Sequence, residues 1–238
     1  MCKLLLKDLA YGYDKVLLRD INLSIKKGNK TLIVGTSGCG KSTLFYVLMR
    51  LLYPLKGNIF IQGKNYDDLA EKSIREHFAV AFQEHHIFNL SIRDNFKMLY
   101  EDITDEKIYK SLENVYLLDF VNQVGLDYIV GNDGNKLSGG QKHRLQLAIC
   151  LAKQKDIILL DEPTAGLDIK TTNNICSQLM EKYQKQTMIV TSHDISLLRF
   201  LMILYLWRRK IIEQGNIKKL LLREDSYLNK LIRYKNFI

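Results

Sequence analysis

Thr31-Leu-Ile-Val-Gly35-Thr-Ser-Gly-Cys-Gly-Lys41-Ser42-Thr43 runs from a short apolar stretch into a glycine-rich loop and then into a helical pattern over residues 42–52. A short, mostly apolar run that stops at a glycine reads as a buried strand, and the loop that follows fits GxxxxGK[ST]. Glycines let such a loop curl so that backbone amides point inward at phosphate, helped by the positive end of the next helix. On this reading Thr36, Ser37, Gly38, Cys39 and Gly40 form the cradle. Lys41 reaches the β- and γ-phosphates, Ser42 ligates Mg²⁺ and Thr43 completes the motif.

Two further apolar runs end in polar residues: 157–160 before Asp161, and 188–190 before Thr191, Ser192 and His193. Both read as buried parallel strands, with helical patterns such as 141–153 between them, so the chain is expected to be an α/β protein. Ligands gather at the carboxyl ends of strands in such folds, which would bring the three polar ends to one sheet edge. Residues 4–11 and 16–25 look like an antiparallel pair with a turn around Gly12, Tyr13 and Asp14, and 57–63 reads likewise. From 84 to 153 the pattern is helical and richer in charge, including the acidic stretch 101–106. The expected division is a core of 1–83 and 154–215 with an antiparallel β part, a helical subdomain over 84–153, and a basic tail over 216–238.

The 238 residues suit one large domain or two small ones, and 47% hydrophobic with 26% charged excludes disordered and collagen-like classes. The longest apolar run, 200–207, lies between Arg199 and Arg208 and is far short of the roughly 20 residues that span a bilayer. The first ten residues, MCKLLLKDLA, lack the features of a secretory signal, so a cytosolic location is the default. Cys2, Cys39, Cys150 and Cys176 form no CxxC pair, which argues against a zinc site or a disulfide framework. The net charge of +9 invites nucleic acid, anionic lipid or a polyanionic ligand, and six basic residues against two acidic ones fall in 216–238.

Asp161 and Glu162 stand where one carboxylate can hold Mg²⁺ and the other can orient an attacking water. His193, at the end of the third strand, is placed to donate to the γ-phosphate or to serve as a structural histidine. Leu137-Ser138-Gly139-Gly140-Gln141 opens the helical pattern 141–153, and Ser138 would cap it beside a second set of free amides. Two anion-binding helix starts with a single pair of strand-end carboxylates predict that the second start serves a nucleotide held by another copy. That arrangement is a dimer with ATP at its interface.

These motifs resemble the ATP-binding cassette family, the nucleotide-binding domains of ABC transporters, over essentially the whole chain. The spacings are those of the family: 42 residues from Lys41 to Gln83, 55 from Gln83 to Ser138, 23 from Ser138 to Asp161 and 31 from Glu162 to His193. The resemblance implies a P-loop NTPase core with a mainly parallel sheet, an antiparallel β subdomain and a helical insertion. It implies that Tyr13 stacks on adenine and that Gln83 senses Mg²⁺ and contacts a transmembrane partner. Ser138, Gly139, Gly140 and Gln141 would form the signature sequence that closes over ATP of the opposite subunit, with Asp168 linking the two sites and His193 as the switch histidine.

Phe88-Asn-Leu-Ser-Ile-Arg-Asp-Asn95 is similar to the exporter branch. Asn132, Ile149 and Arg209 depart from that branch, where Val-Gly-Glu, Arg and Gly are usual; none of them touches hydrolysis. The implied activity is Mg²⁺-dependent ATP hydrolysis powering a transmembrane partner from the cytoplasmic side of a membrane, with a second nucleotide-binding domain and no nucleic acid. The alternative is a soluble cassette ATPase acting on nucleic acid, the ribosome or an assembly complex. The basic tail reads either as a contact for anionic lipid headgroups or as a solvated terminal helix.

Overall fold

The computed structural model describes residues 2–13, 16–83, 86–152, 155–201, 203–207 and 210–235. Along the chain, β1 (Cys2–Gly12), β2 (Val16–Lys26) and β3 (Lys30–Gly35) lead to α1 (Lys41–Leu48), followed by β4 (Lys56–Ile61), β5 (Lys64–Asn65), α2 (Glu71–Glu76) and β6 (Phe78–Ala81). Four helices come next: α3 (Ile92–Lys97), α4 (Asp105–Glu113), α5 (Leu118–Val124) and α6 (Gly139–Leu151). Then β7 (Ile157–Asp161), α7 (Ile169–Lys182), β8 (Thr187–Ser192), β9 (Ile203–Trp207) and β10 (Ile211–Asn216) precede α8 (Ile217–Leu221) and α9 (Tyr227–Lys235). Residues Met1–Phe78, Asp156–Glu162 and Lys185–Ile238 make one compact unit, and Ala79–Lys155 with Pro163–Gln184 make a second.

Two sheets build the first unit. In one, the order β2-β1-β4-β5 is antiparallel throughout. β2 alternates buried Leu18, Ile21, Leu23 and Ile25 with exposed residues, the pattern of a sheet with one wet face. The strands of the other sheet that belong to this unit run β10-β9-β3-β8-β7, with β3 parallel to both β8 and β9, and β8 parallel to β7. β7 and β8 are buried along their whole length, and β3 everywhere but at Gly35. Continuous apolar runs are therefore the signature that selects parallel pairing here.

The register does what the site needs. Val34 pairs with Ser192 and Asp161 with Thr191, so the three polar strand ends expected to converge do share one edge. The apolar run 200–207 supplies β9, whose Trp207 pairs with Gly35 at the mouth of the glycine loop.

α1 stops at Leu48, short of the helix read over 42–52. Arg50 takes a left-handed φ of 55°, and the amides of Leu51 and Leu52 both turn back to the Tyr46 carbonyl. The chain after β10 packs against its own unit: Ile217, Leu220 and Leu228 are buried, and the Leu228 amide donates to Glu213 Oε2 at 2.9 Å. The tail is thus two helices with a buried apolar side, although six of its residues are basic.

The second unit is helical around Ile92, Phe96, Ile108, Leu112, Leu145 and Ala148, all buried. Ser91, Thr104, Ser138 and Asp168 cap α3, α4, α6 and α7 through their side chains. Residues 163–184, assigned to the core on sequence, group with these helices. The Tyr183 hydroxyl just after α7 donates to the Leu151 carbonyl at 3.4 Å and accepts from Asn114 Nδ2 at 3.3 Å.

Candidate nucleotide site

The loop after β3 turns on two glycines. Gly38 and Gly40 have φ of 73° and 92°, the left-handed region that side chains avoid, and the Cys39 amide closes a turn onto the Thr36 carbonyl at 3.3 Å. Gly40 sits at the cap position of α1 and offers no side chain to it, which leaves the first-turn amides for an anion. Thr36, Ser37, Gly38 and Cys39 line a cleft of about 770 Å³, with Val16, Leu17 and Arg19 of β2 as its other wall. Burial raises the Cys39 thiol pKa more than neighbouring Lys41 lowers it, so Cys39 is a small wall residue rather than a reactive thiolate.

Lys41 is buried. Its ammonium donates to the Gly35 and Thr36 carbonyls at 2.8 and 3.1 Å, and lies 3.9 Å from Glu162 Oε1. Ser42 is half-buried and Thr43 is buried in the same turn.

Asp161 is 2% exposed at the end of β7. Thr191 Oγ1 donates to its Oδ1, and Oδ2 has no hydrogen-bond partner among the described residues. An unpartnered carboxylate oxygen at that depth fits a cation or its bound water, since burial without compensation is costly. Glu162, 6% exposed, has a left-handed φ of 50°. Its Oε1 accepts from the His193 amide at 3.0 Å and lies 2.9 Å from His193 Nδ1; its Oε2 accepts from Ser192 Oγ at 2.9 Å. The His193 residue is exposed, and with Nδ1 against Glu162 the opposite edge of its ring is turned away from that carboxylate.

The first unit therefore brings together Thr36, Ser37, Gly38, Cys39, Gly40, Lys41, Ser42, Thr43, Asp161, Glu162 and His193. Tyr13 follows β1 on the hairpin with its ring 60% exposed. Sequence reading assigned no role to Val16, Leu17, Arg19, Tyr11, Thr191 or Ser192. Only Thr191 and Ser192 carried a signal, as polar residues closing an apolar strand.

In the second unit, Gln83 is exposed just beyond β6. Ser138 and Gln141 form a reciprocal cap on α6: the Gln141 amide donates to Ser138 Oγ at 3.2 Å, and the Ser138 amide to Gln141 Oε1 at 2.8 Å. A Cβ built at Gly139 would meet nothing within 4 Å, and one at Gly140 would only touch Leu167 at 3.5 Å. Neither glycine is needed for the packing of its own unit. Asp168 caps α7, accepting from the Thr171 amide at 2.9 Å and hydroxyl at 2.6 Å, and these bonds hold its carboxyl pKa below the ordinary value. Asn132 opens an exposed turn and Ile149 is buried in α6, whereas Arg209 lies outside the described residues.

A glycine loop between a parallel strand and an uncapped helix, with acids closing another parallel strand of the same sheet, defines a P-loop NTPase. The family model described as ABC transporter matches residues 18–165, and the chain belongs to that family. It is 34% identical over 206 residues to the "Beta-(1-->2)glucan export ATP-binding/permease protein NdvA" of Agrobacterium vitis, covering 85% of this chain and 35% of that protein. It is likewise 34% identical over 228 residues to the "Glutathione/L-cysteine transport system ATP-binding/permease protein CydC" of Escherichia coli (strain K12), covering 94% of this chain and 40% of that one. Among solved structures, a bacterial Atm1-family ABC exporter with ATP bound superposes with a TM-score of 0.91 at 28% identity, over 97% of this chain and 41% of that chain. The chain thus spans well under half the length of these proteins. It is a nucleotide-binding domain of exporter type, from a family whose general activity is ATP hydrolysis.

Proposed function

We propose that this chain binds ATP with Mg²⁺ and hydrolyses it to drive a membrane partner, working as a pair of nucleotide-binding domains. The observation that carries the reading is the buried Glu162 carboxylate, tied to His193 and 3.9 Å from the Lys41 ammonium at the edge where the phosphate loop begins. Thr36 to Thr43 hold the phosphates, Tyr13 stacks on the adenine, and Asp161 with Ser42 and Gln83 hold the metal. Mg²⁺, once bound, neutralises charge on the phosphate oxygens. Lys41 leaves the loop carbonyls for the β- and γ-phosphates. Glu162 aligns the water and accepts its proton, and the outward edge of His193 donates to the γ-phosphate.

Ser138, Gly139, Gly140 and Gln141, with Asp168, would close over ATP held by the opposite subunit. The open space over Gly139 supports an approach from outside the chain. The membrane partner follows from the export and permease proteins to which the chain is similar, and it would place the chain on the cytoplasmic face of a membrane. No helix of the described residues is long and apolar enough to cross one. In this reading the basic residues of α8 and α9 are available to anionic lipid, and nucleic acid is not a partner.

Glu162→Gln tests the chemistry: ATP affinity should persist while turnover falls by roughly 10²-fold or more. Unchanged turnover would remove Glu162 from the mechanism. Pull-down with the same variant and ATP from solubilised membranes should recover a polytopic membrane protein. Recovery of ribosomes or nucleic acid instead would favour a soluble cassette ATPase.

A further inference from the structure

One hydroxyl touches the Glu162 carboxylate from behind. Ser192, the last residue of β8, is fully buried and donates from Oγ to Glu162 Oε2 at 2.9 Å. The same Oγ accepts the Asp194 amide at 2.9 Å, and Asp194 closes the next turn by accepting from the Ser196 amide at 2.8 Å and hydroxyl at 2.6 Å. The serine hydroxyl is thereby anchored to the backbone on one side while it donates on the other.

The carboxylate needs that anchor. Its Oε1 is held by the main chain and ring of His193, but a carboxylate gripped at one oxygen still turns about its last torsion. Glu162 also stands in a left-handed backbone conformation, which surrounding bonds must hold in place. We infer that Ser192 is a positioning residue for ATP hydrolysis, holding the Glu162 carboxylate plane so that its free lone pair meets the attacking water. Buried beneath the carboxylate, Ser192 acts through Glu162 and touches no reacting atom. The inference rests on the reading of Glu162 as the water-orienting group.

The test is a set of full-length chains assayed with MgATP: wild type, Ser192→Ala, Ser192→Cys, Ser192→Thr, Glu162→Gln and the Glu162→Gln/Ser192→Ala double variant. Ser192→Ala and Ser192→Cys should lower kcat roughly 10- to 100-fold, the penalty for losing alignment of a reacting group, with KM for ATP within about twofold. Ser192→Thr keeps the hydroxyl and should recover most of the rate. Affinity for a fluorescent ATP analogue, read without turnover, should stay within about twofold in every Ser192 variant. In the Glu162→Gln background, Ser192→Ala should change the residual single-turnover rate by less than about twofold, because the group it positions is gone.

Wild-type kcat in Ser192→Cys or Ser192→Ala would overturn the inference. So would a loss of rate matched by a loss of affinity, or an equal loss in both backgrounds, since these mark a purely structural residue. Should the alanine chains fail to fold, the cysteine variants alone and on the Glu162→Gln background carry the same comparison. A Glu162→Gln chain with wild-type turnover would defeat the reading of the site itself, whereas a slow Glu162→Gln beside a normal Ser192→Cys would defeat this inference alone.

Discussion

The Tyr11 hydroxyl, on β1 of the antiparallel sheet, donates to the Gly40 carbonyl at 3.1 Å, tying the last residue of the phosphate loop to a sheet that carries none of the phosphate-binding groups. Tyr11 is fully buried, and desolvation raises its pKa well above the ordinary value, so the hydroxyl stays protonated as a donor. Tyr11→Phe keeps the ring and removes one of two hydrogen bonds to the Gly40 carbonyl, leaving that from the Leu44 amide at 3.1 Å. ATP affinity should fall a few-fold and stability by ~1 kcal/mol, checked by analogue titration and by calorimetry.

The two left-handed glycines of the loop should differ in tolerance. At Gly38 a Cβ meets nothing within 4 Å, leaving only the backbone cost of ~1–2 kcal/mol for an L-residue. At Gly40 the Cβ would sit 2.5 Å from Cδ1 of the fully buried Leu18, which has little room to yield. Gly40→Ala should therefore weaken ATP binding more than Gly38→Ala does. Equal affinities in the two variants would refute the steric argument.

Ser138 separates a local role from an intermolecular one. Ser138→Ala removes the α6 cap and should cost ~1 kcal/mol of stability in chemical denaturation. Ser138→Arg on the Glu162→Gln chain should also abolish the ATP-dependent shift from monomer to dimer in sedimentation. A dimer that still forms in that variant would count against the shared site.

Lys30 should give stability an alkaline slope. It is buried at the start of β3, its ammonium donates to the Gln186 carbonyl, and desolvation lowers its pKa to about 8. The unfolded chain keeps that proton to higher pH than the folded one, so between about pH 8 and 10.5 the fold gains stability as pH rises. Below pH 8 both states are protonated and the penalty is fully present. Lys30→Met should lack this contribution: the stability of wild type relative to it should rise by ~1–3 kcal/mol between pH 7 and 10.5 in urea titrations.

What the sequence disclosed depended on how local each feature is. The glycine loop, Asp161, Glu162 and His193 follow apolar runs, and the strand ends that bring them together can be read within a few residues. The roles of Tyr11 and Ser192 cannot, because each depends on a register between segments about 30 residues apart. The early end of α1 comes from left-handed Arg50, which apolar periodicity does not reveal. The run 200–207 was legible as too short for a membrane, but its place beside β3 is a matter of sheet order. The charge of the tail was plain in the sequence. Its packing through Ile217, Leu220 and Leu228 was hidden by the basic residues between them.

Because β3 is hydrogen-bonded to parallel strands on both sides, its amide protons have no route to solvent short of opening the sheet. In hydrogen–deuterium exchange they should be among the last to be replaced, at a rate set by global unfolding. The phosphate loop is thus rooted in one of the strands expected to exchange most slowly. A lesion that loosens that strand should therefore lower the melting temperature and nucleotide affinity together.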